Sequence, residues 1–334
     1  PLTLPHSAAR SLDVSLGTDV RFGPPVLGPA DKLADRLAGK VVVLGFWGGE
    51  FSGVLERMDR LADELGPYGL VAVCPYAYQG EVEDIRKKAE ARDARSAVVQ
   101  VAGVNEPGTS GFPSPPGGHA MLFGPDGKCV HRGSAYEVEE PARAAVGRAL
   151  VAAAVGRAAP PKGLKPVTDA FAAGAGPVAV YPKVAALFAS PDEETKAAAK
   201  ALGELILAPG RRALDDAQAK AKTDPVAAFI EAERVAARFK GTPLEKKAGA
   251  LAVGLRGERA VAAELKARAA AAEVEKLAGK LRAQPGSFNP TDSRFQSKNQ
   301  AALAQLKEQL QQLQKQYPTA PATAAAEKIA REFV

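Results

Sequence analysis

Near residue 157 the sequence changes character, and no single regular architecture accommodates both sides of the change. Before it lie runs of β-branched residues, most of the glycine-rich turns and most of the aromatics; after it Ala, Lys, Glu, Leu and Gln dominate. The first pattern calls for strands alternating with helices, the second for helices alone. At 334 residues the chain also exceeds the ~250–300 residues at which one hydrophobic core usually stops growing. The expected organisation is an N-terminal extension over 1–30, an α/β domain over 31–157, a linker over 158–177 marked by Pro160-Pro161 and several glycines, and an all-helical domain over 178–334.

Within the first block, Val41–Phe46 is an unbroken apolar run after Gly39-Lys40, the pattern of a strand buried on both faces. Leu55, Met58, Leu61, Ala62 and Leu65 then recur at helical spacing until Gly66-Pro67 stops them. Leu70–Cys74 reads as the next strand and Val82–Ala91 as the next helix, which makes a βαβ unit with parallel strands. Gly103–Gly118 is a loop rich in Gly and Pro. Ala120–Phe123 and Lys128–Arg132 flank Gly124-Pro125-Asp126-Gly127 as a hairpin, and Glu139–Val155 is a final helix.

The segment Leu37-Ala38-Gly39-Lys40-Val41-Val42-Val43-Leu44-Gly45-Phe46-Trp47 resembles the stretch that leads into the active site of the TlpA/ResA-type thiol-disulfide oxidoreductases, and Gly124-Pro125-Asp126-Gly127-Lys128 is similar to their hairpin turn. The resemblance implies a thioredoxin-like fold. The fold class expected is thus an α/β thioredoxin-like domain over 31–157 followed by an all-α helical-hairpin domain, repeat-like or bundle. The resemblance also implies a Cys-x-x-Cys pair after the tryptophan. Carried forward without a gap, those positions are Phe51 and Val54, and neither side chain forms a thiolate. The family activates its first cysteine at a helix N-terminus; here that place holds Gly48-Gly49-Glu50-Phe51-Ser52-Gly53. The family's cis-proline position falls on Gly118, or on Pro116 if the loop differs by one or two residues. Thiol-disulfide exchange needs an attacking thiolate, so the resemblance implies the fold with a degenerate active site. It further implies a periplasmic or otherwise extracytoplasmic, secreted location, with a signal peptide removed ahead of Pro1.

The two cysteines are Cys74 and Cys129. In the implied sheet order their strands are not neighbours, which puts them more than ~10 Å apart and outside disulfide reach. Two free, largely buried thiols are expected. The enzyme alternative is an atypical thiol oxidoreductase or peroxidase-like protein using Cys74, which ends a strand before Pro75; the simpler role for Cys74 is a small apolar core residue. Trp47, Glu50, Phe51 and His119 gather at the former site as a candidate docking surface, with Trp47 beneath Phe51 or half exposed, because interfaces favour aromatic anchors. Glu50 and Asp59 read as acids around a helix start rather than a catalytic pair. Gly48-Gly49 and Gly117-Gly118 are turn glycines outside any phosphate-binding pattern.

A net charge of +6 raises nucleic acid as a partner, but the basic residues are interleaved with Asp and Glu, and aromatics make up only 6% of the chain. Single-strand binders stack bases on exposed rings, so no nucleic-acid partner is expected. His6, His119 and His131 are isolated, the spacing fits no metal site, and no cofactor is expected. The apolar stretches Val41–Trp47 and Ala149–Val155 fall far short of the ~20 residues of a membrane span.

In the helical half, Ser190-Pro191-Asp192-Glu193 reads as a capping box opening a helix toward Leu207, and Asp224-Pro225 starts a second. From about Lys298, Leu303, Leu306, Leu310, Leu313 and Tyr317 form a narrow heptad seam. Arg238-Phe239-Lys240-Gly241-Thr242-Pro243 and Gln316-Tyr317-Pro318-Thr319-Ala320-Pro321 each sit between two helices, a pattern that resembles tetratricopeptide-like hairpins. Glu258–Ala283 is a long helix between them, and Gln284–Ser297 a polar loop. The function expected is protein–protein interaction or a structural role, with one or more protein partners.

Overall fold

The computed structural model describes residues 19–27, 36–78, 80–105, 117–156, 159–283, 290 and 292–333. It divides into two compact units, Pro1–Pro209 and Gly210–Val334.

In the first unit, strands β1 (Asp19–Leu27), β2 (Val41–Gly45), β3 (Leu70–Tyr76), β4 (Ala97–Asn105), β5 (His119–Phe123) and β6 (Cys129–Ser134) make one mixed sheet in the order β1-β4-β3-β2-β5-β6. The β2–β3 and β3–β4 pairs are parallel; β1–β4, β2–β5 and β5–β6 are antiparallel. Helix α1 (Gly53–Leu65) crosses from β2 to β3 and α2 (Val82–Glu90) from β3 to β4. Two strands went unforeseen. The N-terminal extension contributes β1, whose Pro24-Pro25 hides it from a strand reading; prolines are tolerated because β1 lies at the sheet edge, and the pairing shifts register around Pro25. Strand β4 begins in an apolar run, Ala97-Val98-Val99, and occupies the first residues of the expected Gly/Pro loop.

Alternation along β2 divides the core. Gly45 turns toward α1 so closely that an added Cβ would lie 2.6 Å from Met58 Cγ. On the opposite face Val42, Leu44 and Phe46 join Val73, Val99 and Phe123 in one buried cluster. Helix α3 (Glu139–Val155) packs beside α1 and β2.

The expected linker is folded. Its described residues form a 3-10 turn, Lys162–Leu164, then α4 (Lys165–Ala172), and Pro177 opens α5 (Pro177–Ala186). Gly147 of α3 lies directly under the Phe171 ring of α4. The buried Tyr68 hydroxyl donates to the Ile206 carbonyl at 3.1 Å, tying α6 (Glu193–Lys220) to the sheet side of the unit. Residues through Pro209 therefore belong with the sheet, whereas composition had divided the chain near 157. Asp192, not Ser190, caps α6: its Oδ2 accepts from Thr195 N at 3.0 Å, and Ser190 Oγ accepts from Asp192 N. The helix also runs past Leu207 and through Pro209. An internal proline costs a helix ~3 kcal/mol, which burial of Ile206, Leu207, Leu214 and Ala217 on either side offsets.

The second unit contains the end of α6 with α7 (Pro225–Arg238), α8 (Pro243–Leu255), α9 (Arg259–Arg282), α10 (Ser293–Lys298), α11 (Gln300–Gln316) and α12 (Pro321–Ala330). Asp224 caps α7 as expected, accepting from Ala227 N at 3.0 Å. α7–α8 and α11–α12 are helical hairpins, and both α11 and α12 pack on α9. The buried Phe239 ring fills the first turn against Gly210. In the second, Leu306 and Leu313 are the buried residues of the heptad seam, with Leu303, Leu310 and Tyr317 flanking them. Part of the expected polar loop is helical: Asp292 caps α10 by accepting from Arg294 N at 2.7 Å, while 284–289 and 291 lie outside the described residues.

Candidate functional site

The carboxyl ends of parallel strands are where open α/β sheets build their sites, because the chain leaves the sheet there in loops that diverge around a crevice. Here β2 and β3 end side by side, with Trp47 N donating to the Pro75 carbonyl at 3.1 Å and Ala77 N to the Trp47 carbonyl at 2.8 Å. The start of β5 comes up beside them: Gly118 N donates to the Phe46 carbonyl at 2.9 Å. Three segments distant in sequence, 46–53, 76–78 and 117–119, thus converge.

The structure brings Phe51 and Gly118 together. The Phe51 ring lies over the Gly117-Gly118 backbone, and a Cβ added at Gly118 would stand 2.9 Å from Phe51 Cδ1. Gly118 has φ +96, a region that favours glycine, so both the backbone and the ring above it select this residue. Val54, in the first turn of α1, is fully buried. Pro116, the other candidate for that position, lies outside the described residues.

Trp47 is not part of a surface. It is 2% exposed, its Nε1 donates to the Cys74 carbonyl at 3.1 Å, and its ring meets Tyr76 edge-on at 5.0 Å between centroids. An indole buries readily once its N–H finds a partner, and here the β3 backbone supplies one. Glu50 is exposed and His119 half-buried. The aromatics that do reach the surface are Tyr78 and Tyr136, 45% and 44% exposed, which sequence reasoning passed over. Tyr78 covers Gly48, where an added Cβ would come within 2.6 Å of its ring, and stands 5.9 Å from Tyr76. Tyr136 approaches Gly118 and Gly53. Arg57 lies 5.4 Å from the Tyr136 ring centroid while its Nη1 donates to the Tyr136 carbonyl at 2.9 Å and to Glu139 Oε1 at 2.8 Å. The only sequence signal for the two tyrosines was position: each follows a strand end by two residues.

Both cysteines are free. Cys74 on β3 and Cys129 on β6 are three strand spacings apart, roughly 14 Å at about 4.8 Å each. Cys74 is fully buried, and burial pushes its thiol far above the ordinary range, with the Asp59 carboxylate adding to the effect. Cys129 is half-buried rather than largely buried; burial again raises its thiol, against a 3.3 Å hydrogen bond that Sγ donates to the His131 carbonyl. Neither environment generates a thiolate at neutral pH. Asp59 is itself committed: its buried carboxylate accepts from Arg95 N at 2.9 Å and from Ser96 N and Oγ at 2.6 Å each, fixing the start of β4. It does not pair with Glu50.

No protein family, curated protein or solved structure matches the chain. Among the described residues no group of three or more His, Cys, Asp or Glu side chains is placed to hold a metal ion, and no helix is long and apolar enough to cross a membrane. The converging loops present the exposed Tyr78 and Tyr136 near Arg57 and the exposed Glu50.

Proposed function

We propose that the first unit is a redox-inactive thioredoxin-like domain, that the second is a set of tetratricopeptide-like helical hairpins, and that the protein serves as an extracytoplasmic interaction or structural module. The strand order β3-β2-β5-β6, with its parallel and antiparallel pairs and its βαβ crossover, supports the first part, and the similarly placed Phe239 and Tyr317 support the second. The compartment follows from the family resemblance alone. One observation carries the functional reading: the place where a thiolate would act holds the Phe51 ring lying on Gly117-Gly118, with Tyr78 and Tyr136 exposed on either side. A filled cleft rimmed by exposed aromatics and an arginine has the composition of an interface hot spot.

The test is affinity capture from the source cell envelope with the full chain, comparing wild type with Tyr78→Asp/Tyr136→Asp and with Val253→Asp. Val253 is 64% exposed on the second unit and serves as a surface control. The expected result is a partner retained by wild type and by Val253→Asp and reduced at least about tenfold by the tyrosine double variant, the scale of losing two hot-spot residues. Equal recovery by all three proteins would contradict the reading.

A further inference from the structure

A separate groove lies in the second unit, and nothing in the reading of the first unit bears on it. The end of α6, α7, α9 and the turn between α11 and α12 enclose about 730 Å³. That volume is within the ~300–1,000 Å³ of sites that take a small molecule or a few residues of a peptide. Ala213, Ala217, Ala227, Ile230 and Ala263 give it a shallow apolar lining, and Tyr317 stands on one wall. The charges around it are unbalanced. Asp216, Asp224, Glu231 and Glu264 line it against Lys220 and Arg234, the last ion-paired with Glu231, in a chain whose net charge is +6.

Glu264 sharpens the imbalance. Its side chain is 2% exposed, and it accepts from Arg268 Nε at 3.0 Å and from Ala322 N at the start of α12 at 3.2 Å. Arg268 also holds Glu233 at 2.5 Å. One guanidinium thus serves two carboxylates, the buried Glu264 of the groove wall and the half-buried Glu233 outside its lining, and cannot fully neutralise both. A carboxylate has about four lone-pair sites, and the two hydrogen bonds to Glu264 leave acceptor capacity. Low-dielectric walls strengthen attraction for a cation there, and an aromatic ring adds to it.

We propose that this groove holds a lysine or arginine side chain presented by an extended, otherwise small or apolar segment of a protein partner. The alkyl stem lies along the alanines and Ile230, and the cation meets the excess charge of the Glu264 wall beside Tyr317. Long basic side chains divide their contacts in this way between apolar and charged surface. An acidic segment meets four carboxylates against two cations and is disfavoured.

The probe is an immobilised array of eight-residue peptides, each with one fixed central residue, Lys, Arg, Glu or Leu, among positions randomised over Ala, Leu, Ser and Gly. The full-length protein is expected to be retained on the Lys and Arg sets at least about fivefold over the Glu and Leu sets, with the excess falling sharply in about 0.5 M salt. Ala263→Arg fills the groove and supplies its own cation, so it abolishes the preference; if that variant does not fold, Asp216→Asn/Glu231→Gln weakens the preference at least about threefold. Equal retention on all four sets, or an undiminished preference in a folded variant, overturns the proposal.

Discussion

Asp59→Ala is expected to lower the stability of the first unit by about 3–4 kcal/mol, because it strips a charged acceptor from the donors at the buried start of β4. The Asp59 carboxylate sits on α1 and takes hydrogen bonds from Arg95 N, Ser96 N and Ser96 Oγ at the entrance to β4. Its loss leaves the Ser96 donors facing the interior and releases the strand that pairs with both β1 and β3. The Arg95 side chain, whose Nε reaches Asp59 only at 3.8 Å and whose Nη2 bonds Asp63 at 2.7 Å, contributes little to the difference. Urea unfolding followed by tryptophan fluorescence is the measurement, since Trp47 is the chain's one tryptophan and is buried in this unit. A midpoint shift equivalent to less than about 0.5 kcal/mol, the range of an ordinary surface substitution, would show that the carboxylate does not fix β4.

Gly147→Leu should be at least as damaging, about 3 kcal/mol or more. Glycine inside a helix normally costs stability relative to alanine, so on propensity alone the substitution would help. Here an added Cβ collides with the Phe171 ring, which is fully buried and has no room to withdraw. Overpacking of this kind forces backbone shifts whose cost outweighs the gain in propensity. The same fluorescence experiment distinguishes two pictures of the chain. If α4 is part of the first unit, Trp47 reports the loss; if residues 158–177 were a detachable linker, Gly147→Leu would leave the Trp47 transition near its wild-type midpoint.

These two sites also show where the sequence could be read and where it could not. Val41–Gly45, the α1 periodicity, the Gly124–Gly127 turn and α3 were legible because each signal is local: an apolar run, a three-and-four spacing, a Gly/Pro stop. β1 was not, because Pro24-Pro25 argues against a strand unless the strand is known to lie at an edge. The packing of α4 through α6 onto the sheet unit depends on Gly147 meeting Phe171 and on Tyr68 reaching Ile206, contacts that no composition records. The candidate site divides in the same way. Phe51 and Val54, where the proposed register would place a Cys-x-x-Cys pair, could be picked out residue by residue, but Trp47 turned inward because the Cys74 carbonyl accepts its N–H, and Tyr78 and Tyr136 came to the surface only through the convergence of three loops.

The proposal that this site performs no thiol chemistry is checked by dithiothreitol-driven reduction of insulin disulfides with the full chain. The rate expected is no greater than with dithiothreitol alone, because Phe51 and Val54 stand where the proposed register puts the exchanging pair and Cys74 is buried with its thiol held protonated. Catalysed reduction that disappears in Cys74→Ser would contradict it and make Cys74 a working thiol.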